Sequence, residues 1–182
     1  MVNAAGELNP LRAGIAAFAL SEARCLAPVV REQEVVDVDP AEWLACAQAL
    51  RSAGAEYLDL LTAYVHQEEL DVVLHVGTAD LAHRLLVRTH VTASQLPSLT
   101  VVFPGADWHE RETSEMFGLE FMGHPNPARL LLHEDFQGYP LLKSFPLTPR
   151  VALPWPGEVE PGGARTRRKA LPPGVPVEWT ST

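Results

Sequence analysis

Between residues 81 and 91 the side chains alternate: Leu81, His83, Leu85, Val87 and Thr89 on one side, Arg84, Leu86, Arg88 and His90 on the other. That is the period of a strand with one face covered and one face wet. Upstream, two apolar runs at 57–65 and 70–77 are joined by His66-Gln67-Glu68-Glu69 and predict a hairpin. Residues 34–38 and 99–103 predict further strands, and the alanine-rich stretch 11–24 predicts a helix. Asp39-Pro40-Ala41-Glu42 offers an N-cap, an N1 proline and an N3 glutamate for a second helix ending near Gly54. Its Trp43, Ala47 and Leu50 form a stripe suited to a sheet surface. The expected fold class is α+β: a two-layer domain within 1–118, with a mixed or antiparallel sheet and packed helices, followed by a long extended C-terminal arm.

A third helix is predicted from Asp107 to Gly118. Asp107 reads as its N-cap, Glu110 as the partner reaching back in a capping box, and Gly118 as the left-handed residue that ends it. Trp108, Arg111, Glu112 and Glu115 share one side of this helix, and His109, Thr113, Met116 and Phe117 lie on the other. Two readings of the mixed face stay open: a solvated face with an Arg111–Glu115 ion pair, or a face buried against another chain. From 119 to 147 glycines and prolines interrupt any periodicity, so the segment is expected to lie on something rather than form its own ladder. Residues 148–182 hold seven prolines, the basic cluster Arg165-Thr166-Arg167-Arg168-Lys169, and Trp155 and Trp179 as possible anchors. Such a tail cannot build a core of its own.

Charge and chemistry narrow the function. With 14 Lys and Arg against 23 Asp and Glu, the net charge is −9, and no basic stripe marks a nucleic-acid surface. Cys25 and Cys46 are too few for a four-thiolate iron–sulfur cluster and read as small buried thiols in a reducing compartment. No glycine-rich nucleotide fingerprint is present. No metal-binding histidine spacing occurs, and His124, between Gly123 and Pro125, is expected to be a structural imidazole bonded to backbone. Glu110 and Glu112 cannot face each other as an acid/base pair on one helix; Glu134 and Asp135 are expected to pair with Arg129 or Lys143. No nucleophile stands beside a base, so independent catalysis is not expected. The apolar run 13–20 is too short to cross a bilayer, and with Glu7 before it makes a poor export signal. The expected place is therefore the cytoplasm, with membrane attachment only through partners.

The run Trp108-x-Glu110-Arg111-Glu112-x-x-x-Met116-Phe117-Gly118, then Gly123-His124-Pro125, then Glu134-Asp135-Phe136-x-Gly138-x-Pro140-Leu141-x-Lys143-x-Phe145-Pro146-Leu147, resembles the signature of the 30 kDa subunit family of respiratory complex I. In bacteria that complex is the proton-translocating NADH:quinone oxidoreductase. The family pattern carries an aromatic and an aspartate where this chain has Ser114 and Glu115, and an arginine and an aspartate where it has Leu142 and Ser144. The resemblance implies an accessory subunit of the peripheral arm, on the cytoplasmic side of the membrane. It would hold no cofactor, while partners carry FMN, iron–sulfur clusters and the NADH and quinone sites. It further implies contacts with the quinone-site subunit and with the subunit of the terminal cluster. Glu110, Arg111 and Glu112 would make charged inter-chain contacts, and Phe117, Phe136, Phe145 and Leu147 would be apolar anchors. A membrane-bound hydrogenase or similar assembly with an equivalent subunit, and a free-standing binding module, are the other readings.

Overall fold

The computed structural model describes residues 9–17, 24–26, 35–146, 152–153, 169–170 and 173–176. A five-stranded sheet runs in the order β1 (Arg24–Leu26), β2 (Val35–Asp37), β5 (Arg84–Val91), β4 (Glu69–Gly77) and β3 (Tyr57–His66). Only the β2–β5 pairing is parallel, so the sheet is mixed. Leu61, Ala63, Val72, Leu74, Val76, Leu85, Val87 and Val36 point to one face, as the alternation requires. Helices α1 (Pro10–Ala17) and α2 (Trp43–Ser52) cover that face with Leu11, Ile15, Trp43, Cys46, Ala47 and Leu50. The arrangement is the expected α+β, two-layer one. Cys46 is buried and free, and burial pushes its thiol up to about 12, so it packs as an inert apolar group.

Asp39 caps the second helical segment as its sequence suggests: its Oδ1 accepts from Ala41 N at 2.8 Å. It does so through a 3-10 turn, Pro40–Glu42, that leads into α2. The β3–β4 hairpin turns on Gln67 and Glu68, both left-handed (φ 46° and 74°), the geometry whose twist matches a two-residue hairpin. The other face of the sheet mixes polar pairs with Leu60, Val73 and Leu86. Arg88 there donates to Asp37 through Nε at 2.7 Å and Nη2 at 3.0 Å, and His75 meets Asp59 at 2.7 Å.

Four expectations need correction. The helix expected over 11–24 is described only as Pro10–Ala17; residues 18–23 lie outside the described residues, and Arg24, expected at the helix end, instead opens β1 by pairing opposite Asp37 of β2. The strand expected from 81 begins at Arg84. Thr78 and Asp80 turn their side chains onto the local backbone (Asp80 Oδ1 accepts from Ala82 N at 3.1 Å), and this turn takes Leu81 and His83 out of the ladder. Residues 99–103 are a turn, not a strand. The amides of Val102 and Phe103 both donate to Leu99 O, and Leu99 and Phe103 reach the core at a four-residue spacing while Val101 is 75 % exposed. The strand of this region is β6 (Gln95–Pro97), paired in parallel with β7 (Glu120–Met122), so the domain end expected at 118 stops short of Leu119 and Phe121, which are core residues.

Candidate functional site

The signature helix is α3 (Ala106–Phe117). Its end is as expected: Gly118 is left-handed at φ 74°, and its amide donates to Ser114 O at 2.9 Å. A side chain there would also strike the Tyr139 ring, 2.7 Å from an added Cβ. Its beginning is not as expected. Gly105 occupies the cap position with no side-chain cap bond, and Asp107 lies inside the first turn. The capping box fails because Glu110 is on the inward stripe with Ala106 and Thr113, with no exposed surface at all. From there it turns down to the β6–α3 connection: Oε1 accepts from Leu99 N and Oε2 from Ser98 Oγ, both at 2.6 Å. Burial raises the Glu110 carboxyl above the usual range, against the lowering effect of those two donors and of His124.

The mixed face of α3 holds a strap from the chain itself. Arg111 donates to Ala128 O (2.7 Å) and Arg129 O (2.8 Å), and Glu115 accepts from the amides of Leu130, Leu131 (2.9 Å) and Leu132 (3.3 Å). The two charges thus serve consecutive backbone groups of residues 128–132 rather than each other. A carboxylate gathering three amides is a charge-assisted arrangement, stronger than a surface ion pair. Arg129 passes the order along, donating to His133 O (2.9 Å) and Phe136 O (3.0 Å) instead of pairing with Glu134 or Asp135. Asp135 lies 3.6 Å from His133. Leu141 N donates to Met116 O and ties the far end of the strap to the last turn of α3.

His124 is the structural imidazole its sequence suggests. Nδ1 accepts from Asn126 N at 3.0 Å, which assigns the proton to Nε2, 3.2 Å from Asp107 O. Asp107 Oδ1 and Glu110 Oε2 stand 3.1 and 3.8 Å from the same nitrogen, so the loop at 123–126 is tied to the first two turns of α3. A cleft of about 530 Å³ opens between these groups and the β6–β7 edge, lined among others by Gln95, Arg111, Glu120, His124 and Tyr139. Its lining is mixed in charge, and no group of three or more His, Cys, Asp or Glu among the described residues could hold a metal ion.

The structure brings together Glu110, Arg111, Gly118, Gly123 and His124 around α3, and stacks Phe136 on Phe145 with centroids 5.9 Å apart. Phe117 packs on the chain's own core. Trp108, 66 % exposed, stays at the surface with Glu112, Pro125, Glu134, Asp135, Gly138 and Lys143, while Pro140 and Pro146 are half-buried. Leu147 lies outside the described residues. The reading of the sequence missed the parts of Ser98, Asp107 and Arg129. Ser98 had a signal, a hydroxyl just ahead of a turn, but its partner twelve positions on gave none.

Residues 36–151 match the model of the family described as "Respiratory-chain NADH dehydrogenase, 30 Kd subunit". The chain belongs to that family. Among its relatives, an NADH-quinone oxidoreductase subunit of Sinorhizobium medicae is 40% identical over 94 residues, covering 51% of this chain and 47% of that protein. The similarly named subunit of Roseiflexus castenholzii is 38% identical over 120 residues, covering 65% and 68%. A chromatophore NAD(P)H-quinone oxidoreductase subunit of Paulinella chromatophora is 33% identical over 141 residues, covering 66% and 73%. The matched part of this 30 kDa family member thus spans about half of the Sinorhizobium protein. Two solved structures share its fold: the trypsin-resistant fragment (1-134) of Nqo5 (TM-score 0.51, 21% identity, 64% of this chain and 95% of that one), and a chain of the archaeal membrane-bound sulfane sulfur reductase (TM-score 0.53, 18% identity, 63% and 69%).

Proposed function

We propose that this chain is an accessory subunit of the peripheral arm of a proton-translocating NADH:quinone oxidoreductase, without a catalytic centre or cofactor of its own. The family match over 36–151 carries this reading. In it, partner subunits hold FMN, the iron–sulfur clusters and the NADH and quinone sites, and this chain fixes the quinone-site subunit relative to the subunit of the terminal cluster. The α3 surface suits such a role. A strap is fastened along one side by Arg111 and Glu115, and Trp108, next on that side, is left exposed. Tryptophan is the residue type most enriched among interface hot spots. Glu112, Gly123, Pro125, Glu134, Asp135, Gly138 and Lys143 are further exposed signature residues offered to partners. No described helix is long and apolar enough to cross a membrane, and the proposed location is the cytoplasmic side, held there by partners.

A second reading, an equivalent subunit in a hydrogenase-type or other related assembly, is favoured by Leu142 and Ser144, which leave Lys143 without neighbouring charges. One experiment separates the two. Deleting the gene is expected to abolish NADH-driven quinone reduction in membranes, with recovery on re-expression of the chain. Full NADH-driven activity in the deletion strain would overturn the proposal.

A further inference from the structure

Beyond the strap, a short piece of the C-terminal region returns to the signature segment. Gln137 N donates to Gly174 O at 2.8 Å. Gly174 is left-handed, at φ 82°, and the place where its Cβ would be is filled by the Phe136 ring, whose Cζ, Cε2 and Cε1 all fall inside van der Waals contact of it. That ring has little room to retreat, because it is stacked on Phe145. Two residues on, Pro176 is buried. A hydrogen bond, a position where only glycine fits, and a buried proline together describe a docked peptide, not a chance approach.

We propose that residues 173–176 are the resident ligand of an aromatic shelf made by Phe136 and Phe145, and that this contact, made by the chain on itself, locks the strap onto α3. The class of ligand is a proline-glycine turn that presents a carbonyl to the Gln137 amide. Pro173 and Pro176 suit it, since fixed φ angles reduce the ordering cost of docking. The clasp is the last link of a continuous series. Arg111 and Glu115 hold 128–132, Arg129 holds the carbonyls of His133 and Phe136, and Phe136 with Gln137 holds Gly174. Each link leaves the next fewer conformations to search, so removing the last is expected to loosen those before it. The strap surface is thereby set by the chain before any partner arrives.

The test is hydrogen–deuterium exchange on the isolated full-length chain, wild type against Gly174→Val and Pro176→Asp. In both variants the Gln137 amide is expected to exchange at least about tenfold faster, with a smaller rise at Leu130–Leu132 and no change in β4 and β5. Wild-type protection of Gln137 in either variant overturns the proposal. So does acceleration spread equally over β4 and β5, which would make the contact part of global unfolding. Because the chain is studied alone, the result is independent of the assembly it joins.

Discussion

Glu110 shows how a single residue can be read correctly as special and wrongly as to why. Its spacing from Asp107 suggests a cap, yet it lies under the helix and satisfies a hydroxyl and an amide of the preceding loop. A buried carboxylate is tolerated there because each oxygen has a donor and His124 stands 3.8 Å away. The sign of its pH effect follows from the direction of its shift. With the folded-state value above the usual 4.5, the folded chain holds more protons than the unfolded one between the two values. Glu110 therefore makes stability fall as pH rises through that window. Glu110→Gln keeps the shape and an acceptor for Leu99 N, and it does not titrate. In urea unfolding from about pH 4 to about pH 7, the stability of E110Q minus that of wild type is expected to shift upward with pH, by about 1.4 kcal/mol for each unit by which the carboxyl is raised. A flat difference would show that Glu110 titrates as an exposed acid.

Among the elements, α3 and its strap behave as one unit. Arg111→Ala removes two hydrogen bonds to backbone oxygens, on a half-exposed side chain, so a loss of only about 1 kcal/mol is expected in the melt of the domain. Faster proteolysis within 126–133 should accompany it, while β4 and β5 keep their protection. Unfolding of the whole domain would instead make Arg111 a core residue. What the sequence disclosed of these elements follows from range. The β3–β4 hairpin, the alternation along β5, the α2 stripe and the glycine end of α3 are written in neighbouring residues, and they were legible. The β6–β7 pairing joins Leu96 to Phe121 across the whole of α3, and no local period announces it. For the same reason neither reading of the Arg111 and Glu115 face, an ion pair between the two or burial against another chain, reached their partners, which are backbone groups fifteen to eighteen residues away. The turn at 99–103 was misread because a short apolar run does not distinguish period two from period four.

At the scale of the molecule, one face of a mixed sheet is covered by helices, and the signature segment is fastened to the third of them by the chain's own charges. The acidic chain, with a net charge of −9, has its conspicuous tryptophan at the surface of that helix. The 30 kDa subunit family is where its sequence belongs, and the proposed role is to hold other proteins in register. The central claim is that it does so within an NADH:quinone oxidoreductase. The most direct test is to purify the tagged full chain from membranes in mild detergent and identify by mass spectrometry what accompanies it. The account expects the quinone-site subunit, the terminal iron–sulfur subunit and the flavin-bearing NADH-oxidising subunit in similar amounts. A nickel-bearing large subunit in place of the NADH-oxidising one, or the chain alone, would contradict it.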